Sequence, residues 1–167
     1  MTQKEIIVNE CRRQEESCLY TSAALYEWIK AMRFWRVIFV VAPIVLGSVA
    51  GSTYLKRWDD FLPIAALFSL LAGIFPAVYK ALNLDISLAS LSKSATEFKS
   101  LQDAFRQTWR MAENIDDPRL PESFNALMQR MDLARSGVDA IPERFFLKAR
   151  EKIREGHYQF AVDDTKA

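Results

Sequence analysis

The distribution of charge along the chain separates two apolar segments from a polar remainder. Residues 37–55 and 61–79 each run for nineteen positions without a charged side chain, and the rest of the chain carries all 22 Lys and Arg and all 21 Asp and Glu residues. A helix of that length is about 28 Å long at ~1.5 Å per residue, close to the ~30 Å hydrocarbon core of a bilayer. Core helices of soluble proteins usually carry charge on their outer face. The pattern therefore predicts a transmembrane hairpin with spans 37–55 and 61–79.

Two other segments repeat apolar or small residues at alternating four- and three-residue steps, which is typical of one face of a helix. The first predicts a helix over residues 3–33 that continues into the first span. Its stripe comprises Ile7, Cys11, Gln14, Cys18, Thr21, Leu25, Trp28 and Met32. The second predicts a helix continuous from Pro63 to about Glu113. Its stripe comprises Leu84, Leu88, Leu91, Ala95, Phe98, Gln102, Phe105, Trp109 and Ala112. Both stripes leave the hairpin on the same side, so we expect them to pack antiparallel against each other.

Two shorter helices are expected beyond Asp116-Asp117-Pro118, which should end the second stripe. One runs from about Pro121 to Ser136 and stops at Gly137, and the last runs from about Pro142 to Gly156. The predicted fold class is an all-α membrane protein, with a two-helix hairpin, a long helical cytoplasmic stalk and two short C-terminal helices. The predicted divisions are an N-terminal cytoplasmic helix (1–36), the hairpin (37–79), a cytoplasmic heptad helix (80–115) and the C-terminal cytoplasmic helices (116–167).

Basic residues near the span ends predict the orientation of the hairpin. Five lie at its outer termini (Lys30, Arg33, Arg36, Lys80 and Lys93) and two in the connecting loop (Lys56 and Arg57). Because basic residues favour the cytoplasmic side, both termini are expected in the cytoplasm. Aromatic residues flank both ends, with Trp35 and Tyr79 on one side and Tyr54 and Trp58 on the other, as in interfacial belts. The first thirty or so residues contain no apolar core of a signal peptide, so we expect the first span to direct its own insertion.

Small residues within the spans indicate close helix packing. In the first span Gly47 and Gly51 form a small-xxx-small pair, with Ser48 and Ser52 beside it. In the second span a face of four-residue steps comprises Ala65, Ser69, Gly73 and Ala77. Such faces let helix backbones approach closely in lipid, either within the hairpin or between copies of the chain. Any aqueous path would be lined by serines and Thr53, because no charged residue lies inside the spans.

The last predicted helix is unusually basic. It carries Arg144, Lys148, Arg150, Lys152 and Arg154, with glutamates among them. This face could bind a phosphate-bearing ligand, anionic lipid or an acidic partner. The alternative is a solvated surface with ion pairs along the helix, such as Lys148 with Glu151.

Composition favours a non-enzymatic protein. The net charge of +1 argues against direct nucleic-acid binding. His157 is the single histidine, and no spacing typical of a metal site, nucleophile elbow or phosphate loop occurs, so no cofactor, metal or catalytic residue is expected. Cys11 and Cys18 are seven residues apart, too far for a disulfide within one helix. They are expected to be small buried core residues, with an intersubunit redox contact as the alternative.

The layout resembles the SLATT domain family of bacterial effectors, which have two transmembrane helices and a cytoplasmic helical extension. The resemblance is carried by the segment CLYTSAALYEWIKAMRFWR, by the short-looped hairpin, and by LNLDISLASLSKSATEFKSLQDAFRQ. A tail motif adds Pro142, Ala149-Arg150, Ile153 and Gly156-His157-Tyr158.

The resemblance implies an effector of bacterial anti-phage or conflict systems in the inner membrane. Such an effector would oligomerise with copies of itself and breach the lipid bilayer when triggered. The trigger is expected from a separate sensor protein or a nucleotide second messenger, since no sensing domain is recognised in these residues. The competing hypothesis is a non-conducting, membrane-anchored scaffold that oligomerises and recruits a cytoplasmic partner.

Overall fold

The computed structural model describes residues 2–55, 62–115, 118–138 and 140–158. Within these ranges the chain forms five α-helices: α1 (Gln3–Leu55), α2 (Leu62–Ala81), α3 (Leu84–Asn114), α4 (Leu120–Ser136) and α5 (Glu143–Arg154). The predictions for Trp58, the loop residues 56–60 and Asp116-Asp117 lie outside the described residues, as do those for the side chains of Thr53, Tyr54 and Leu84.

The chain divides into two compact units. The first, which we call the bundle, comprises Met1–Ile29 and Ser90–Ala167, and the second, the hairpin unit, comprises Lys30–Ala89. The bundle thus contains the first half of α1 with most of α3, α4 and α5. The hairpin unit contains the second half of α1 with α2.

α1 continues from the heptad stripe into the first apolar segment without a break, as predicted. It passes through Pro43, although an interior proline removes a backbone hydrogen bond and costs about 3 kcal/mol in a helix in water. α2 likewise contains Pro76. Prolines of this kind are tolerated in helices that cross membranes.

The prediction of one helix from Pro63 to Glu113 is wrong. α2 ends at Ala81 and α3 begins at Leu84, with Asn83 at a φ of 46° between them. A residue in this left-handed region cannot continue a right-handed helix, and asparagine adopts it more readily than most residues. The Ser87 amide then donates to the Asn83 carbonyl at 3.0 Å and opens the next helix.

The core of the bundle is built from the two predicted stripes together with Leu101 of α3 and Met131 of α4. Its largest fully buried side chains are Cys11, Cys18, Leu25, Leu101, Gln102, Phe105 and Met131. Glu15 of α1 receives hydrogen bonds from Arg106 Nε and from Trp109 Nε1, both at 2.6 Å. Arg12, one turn earlier in α1, pairs with Glu113, which lies later in α3. Since the numbering rises in one helix as it falls in the other, α1 and α3 pack antiparallel, as expected.

The two C-terminal helices have the predicted positions. α4 ends at Ser136 with Gly137 as its cap, at a φ of −91°. α5 follows Pro142 and ends in a Schellman motif, in which the His157 amide donates to the Lys152 carbonyl and the Gly156 amide to the Ile153 carbonyl, both at 3.1 Å. Gly156 has a φ of 81°, so its lack of a side chain is what permits this turn.

Candidate functional site

The apolar surface of the hairpin unit is uncovered. None of the most apolar stretch of α1 and only 6% of that of α2 is buried within the chain. Large side chains such as Ile44 and Leu70 are 65% and 63% exposed. By length and composition both helices could cross a membrane. A core helix of a soluble protein passes the same test of composition but is mostly buried, and these two helices are not.

The predicted glycine faces point into open space. A Cβ atom added at Gly47, Gly51 or Gly73 would meet no atom within 4 Å outside its immediate helix backbone. Ser69 and Ala77 are exposed as well. The glycines therefore do not serve close packing within this single hairpin.

The serines of the first span satisfy their hydroxyl groups within their own helix. Ser48 Oγ donates to the Ile44 carbonyl at 2.8 Å, and Ser52 Oγ donates to the Val49 carbonyl at 2.9 Å. A hydroxyl bonded in this way has its donor occupied and offers water or an ion only its remaining acceptor capacity. In this conformation Ser48 and Ser52 would thus give an aqueous path only a weakly polar lining.

The two apolar helices are joined by aromatic and polar contacts that the sequence did not reveal. The rings of Phe39 and Phe75 lie 5.7 Å apart, a favourable distance for a tilted aromatic pair. Asp85, in the first turn of α3, accepts a hydrogen bond from Tyr79 Oη at 2.5 Å and lies 3.0 Å from Arg36 Nε. These residues all belong to the hairpin unit. Through Asp85, Arg36 of α1 and Tyr79 of α2 are therefore linked at the outer ends of the two apolar segments.

The basic face of α5 is not one surface. Lys152 Nζ lies 2.6 Å and Lys148 Nζ 3.7 Å from the carboxylate of Glu27 in α1, and Arg144 lies over the ring of Phe145 at 4.7 Å. The predicted pairing of Lys148 with Glu151 does not occur among the described residues. Arg150 and Arg154 are exposed and make no ion pair with any described residue. Only part of this face is therefore available to a partner.

Glu27 is the focus of the contact between α5 and α1. Its side chain is 1% exposed, whereas those of Lys148 and Lys152 are 61% and 31% exposed. Around it, Ala149 packs with Ala23 and Ala24, and Ile153 and Tyr158 cover this cluster. The rings of Phe145 and Trp28, and those of Phe146 and Tyr20, stack at centroid distances of 6.1 Å. Burial, followed by the negative charge of Glu27, raises the pKa of Tyr158.

A second sequence signal marks this contact. Tyr20, Ala23, Ala24 and Glu27 follow the spacing i, i+3, i+4, i+7, and so define a face of α1 beside the heptad stripe. The two alanines have small side chains, which allow α5 to pack closely here through Ala149. This face was not predicted, because the heptad stripe accounts for only one face of the helix.

The two cysteines are small core residues, as the first interpretation predicted. Both are fully buried and free, and Cys18 Sγ lies 3.5 Å from Met131 Sδ. Burial, with a smaller contribution from Glu10, raises the pKa of Cys11 to about 11, and burial raises that of Cys18 to about 12. Since the thiolate is the reactive form, both thiols are unreactive near neutral pH.

Comparison with protein-family models, with curated proteins and with solved structures finds no match to this chain. The resemblance to the SLATT family therefore stays a prediction.

Proposed function

We propose that the hairpin unit inserts into a lipid bilayer and that copies of the chain associate there to permeabilise or depolarise the membrane. The observation that carries this proposal is the exposed apolar surface of α1 and α2. Soluble monomers rarely expose a contiguous apolar patch larger than a few hundred Å². A bilayer covers such a surface on all sides, and the two helices satisfy most of their backbone groups internally, with interior prolines of the kind that membrane helices tolerate.

Association is assigned to the glycine faces. Within lipid the hydrophobic effect does not drive helices together, so close backbone packing at small residues takes its place. Gly47, Gly51 and Gly73 meet nothing in the single hairpin, which leaves them available to another copy. This arrangement favours a homo-oligomer over packing of one hairpin alone.

The biological setting is proposed from the resemblance. We place the protein in the bacterial inner membrane with both termini in the cytoplasm, as an effector of an anti-phage system. Its activation by a separate sensor or nucleotide signal belongs to the same proposal. The charge count at the span ends supports the orientation.

The second candidate is a non-conducting scaffold, which oligomerises in the membrane and recruits a cytoplasmic partner. The specific observation in its favour is that Ser48 and Ser52 direct their hydroxyls to their own helix, so the spans present little that would line an aqueous path. Membrane potential distinguishes the two candidates.

The test is the membrane potential of bacteria after induced expression, followed with a potential-sensitive dye. We expect the native chain to depolarise the cells and Gly47→Leu or Gly51→Leu to abolish the effect at equal membrane content, because the added side chain blocks close approach. Val45→Leu is the matched control, since it introduces the same residue at a position already occupied by an exposed apolar side chain.

Equal depolarisation by the native chain and by both glycine variants would contradict assembly through this face. Unchanged potential with every variant, with insertion confirmed and a sensor co-expressed, would favour the scaffold. Loss of activity in Val45→Leu as well would mean that the assay reports general disturbance of the span.

A further inference from the structure

A cavity of about 350 Å³ lies between α3 and α4 in the bundle. It is lined by one face of each helix at the spacing i, i+3, i+4, i+7. The lining residues are Ser90, Lys93, Ser94 and Glu97 of α3, Arg130, Leu133 and Ala134 of α4, and Gly137, the cap of α4. The volume lies within the range of about 300–1,000 Å³ that is usual for small-molecule sites.

The charged groups of this cavity leave a positive excess. Arg130 Nη2 lies 2.8 Å from Glu97 Oε1. This contact occupies one nitrogen of the guanidinium group and leaves its other N–H groups for a ligand. Lys93 is exposed, and no carboxylate of the described residues lies within 4.0 Å of its ammonium group. Two cations thus face one carboxylate, which favours an anionic occupant.

Two hydroxyl groups extend the polar side of the cavity. Ser90 and Ser94, one turn apart on α3, make no side-chain hydrogen bond within the described part of the chain. Thr96 on the same helix behaves differently, because its hydroxyl donates to the Ser92 carbonyl at 2.9 Å. The serine hydroxyls can therefore donate to the oxygens of a ligand without breaking an existing bond.

Beyond Arg130, the wall formed by α4 is apolar. The side chain of Leu133 is 73% exposed at the rim, and Ala134 and the backbone of Gly137 continue the surface. An added Cβ at Gly137 would meet only the carbonyl oxygens of its own helix, both at 3.7 Å, so that end of the cavity is open. A ligand with both an anionic and an apolar part would match these two walls.

We propose that this cavity binds a phosphate monoester, with its phosphate between Lys93 and Arg130 and its apolar part against Leu133. A monoester at neutral pH carries nearly two negative charges and offers several acceptor oxygens, enough for an ammonium, a guanidinium and the hydroxyls of Ser90 and Ser94 together. A carboxylate has one charge and two oxygens, and would engage fewer of these donors. The site is independent of the proposed function, since it requires nothing of the spans.

The first experiment measures binding of phenyl phosphate to the full chain in phosphatidylcholine nanodiscs by isothermal titration calorimetry. We expect Lys93→Gln to weaken binding at least ten-fold and Lys93→Arg to change it less than three-fold. Ser90→Ala combined with Ser94→Ala should weaken it three- to ten-fold. Arg13→Gln is the matched control, because it removes one exposed charge from α1, outside the cavity lining, and should leave binding unchanged.

The second experiment asks whether the monoester is soluble or the headgroup of a lipid. The native chain and Lys93→Gln are extracted from membranes containing equal parts phosphatidic acid, a monoester, and phosphatidylglycerol, a diester, and the retained lipid is quantified. Retention of phosphatidic acid at least three-fold above phosphatidylglycerol, lost in Lys93→Gln, would support the site and identify a lipid source. Lys93-dependent binding of phenyl phosphate alone would support it with a soluble source.

The proposal is overturned if neither probe shows binding that depends on Lys93. It is equally overturned if Arg13→Gln weakens phenyl phosphate binding as much as Lys93→Gln, because binding would then follow total charge. All variants alter exposed or partly exposed side chains, and unchanged thermal unfolding by circular dichroism will show that the bundle is intact.

Discussion

Glu27 shows at the scale of one residue how the fold gives a polar side chain a role that its sequence context hides. Within its own helix it reads as a surface charge, yet its side chain is 1% exposed and is paired with two lysines more than 120 residues later in the chain. Burying a carboxylate is unfavourable unless it is paired and hydrogen-bonded. Lys152 provides that bond, and its partial exposure lets its own charge stay hydrated.

Replacing Glu27 tests this pairing. We expect Glu27→Gln to lower the free energy of unfolding of the bundle by about 1–3 kcal/mol, because a buried charge-assisted hydrogen bond is lost. Lys148→Gln should change it by less than about 1 kcal/mol, since that lysine is mostly exposed and 3.7 Å away. The measurement is urea unfolding in detergent, followed by tryptophan fluorescence, as Trp28 stacks on Phe145 of α5. Equal effects of the two substitutions would contradict a special role for Glu27.

At the scale of the element, residues in and around α5 decide how this helix docks. The tail motif that carries part of the resemblance has a structural explanation, because each of its main positions serves the docking of α5. Pro142 precedes the helix, Ala149 is fully buried, Ile153 and Tyr158 cover the alanine cluster, and Gly156 forms the terminating turn. The residues of this motif therefore serve helix packing rather than ligand binding.

The two glycines that follow α4 and α5 provide a matched pair of substitutions. Gly156→Ala should destabilise the bundle by about 1–2 kcal/mol, because a side chain at a φ of 81° is strained. Gly137→Ala should change stability by less than about 0.5 kcal/mol, since its φ is −91° and the new Cβ would stay at an ordinary contact distance. Thermal unfolding by circular dichroism checks both, and a larger effect at Gly137 would refute the assignment of the two turns.

Helix positions were predictable where a repeated pattern sets them, and unpredictable where one residue acts through its conformation. The heptad positions Leu25, Phe98 and Phe105 are buried as expected, because a repeated pattern reflects many packing contacts together. The break before Leu84 was missed, because the sequence there contains neither glycine nor proline and depends on Asn83 alone. The aromatic and polar contacts of Phe39 and Asp85 were missed as well, since nothing local indicates their partners.

At the scale of the whole molecule, the two units differ in whether they bury or expose their apolar side chains. The bundle buries Leu25, Phe98 and Phe105 in a conventional core, and in the part of the chain that the structure describes no buried side-chain polar atom lacks a hydrogen-bond partner. The hairpin unit instead exposes its valines, isoleucines and leucines. The distribution of charge along the sequence predicted this contrast, because the contrast depends on composition over many residues. The cavity between α3 and α4 was not predicted, since it depends on which helix faces meet.

The proposed orientation can be checked by labelling with a membrane-impermeant maleimide. In intact spheroplasts, which expose the outer face of the inner membrane, Asp59→Cys between the spans should be labelled and Ser100→Cys in α3 should be protected until the cells are permeabilised. The native chain is the control, because Cys11 and Cys18 are buried with raised pKa values and should react little in the folded protein. Labelling of Ser100→Cys in intact cells would place the bundle on the other side of the membrane.

The antiparallel packing of α1 also bears on the order in which the protein is made and folded. The side-chain partners of Glu15, Cys18 and Glu27 lie between 91 and 125 residues later in the sequence. At a synthesis rate of roughly 5–20 residues per second, Glu27 waits about 6–25 s for Lys152 to be translated. Throughout that interval the stripe of residues 7–32 has no native partner to cover it. The stripe is thus translated well before its partners and is among the last parts of the bundle to complete its fold.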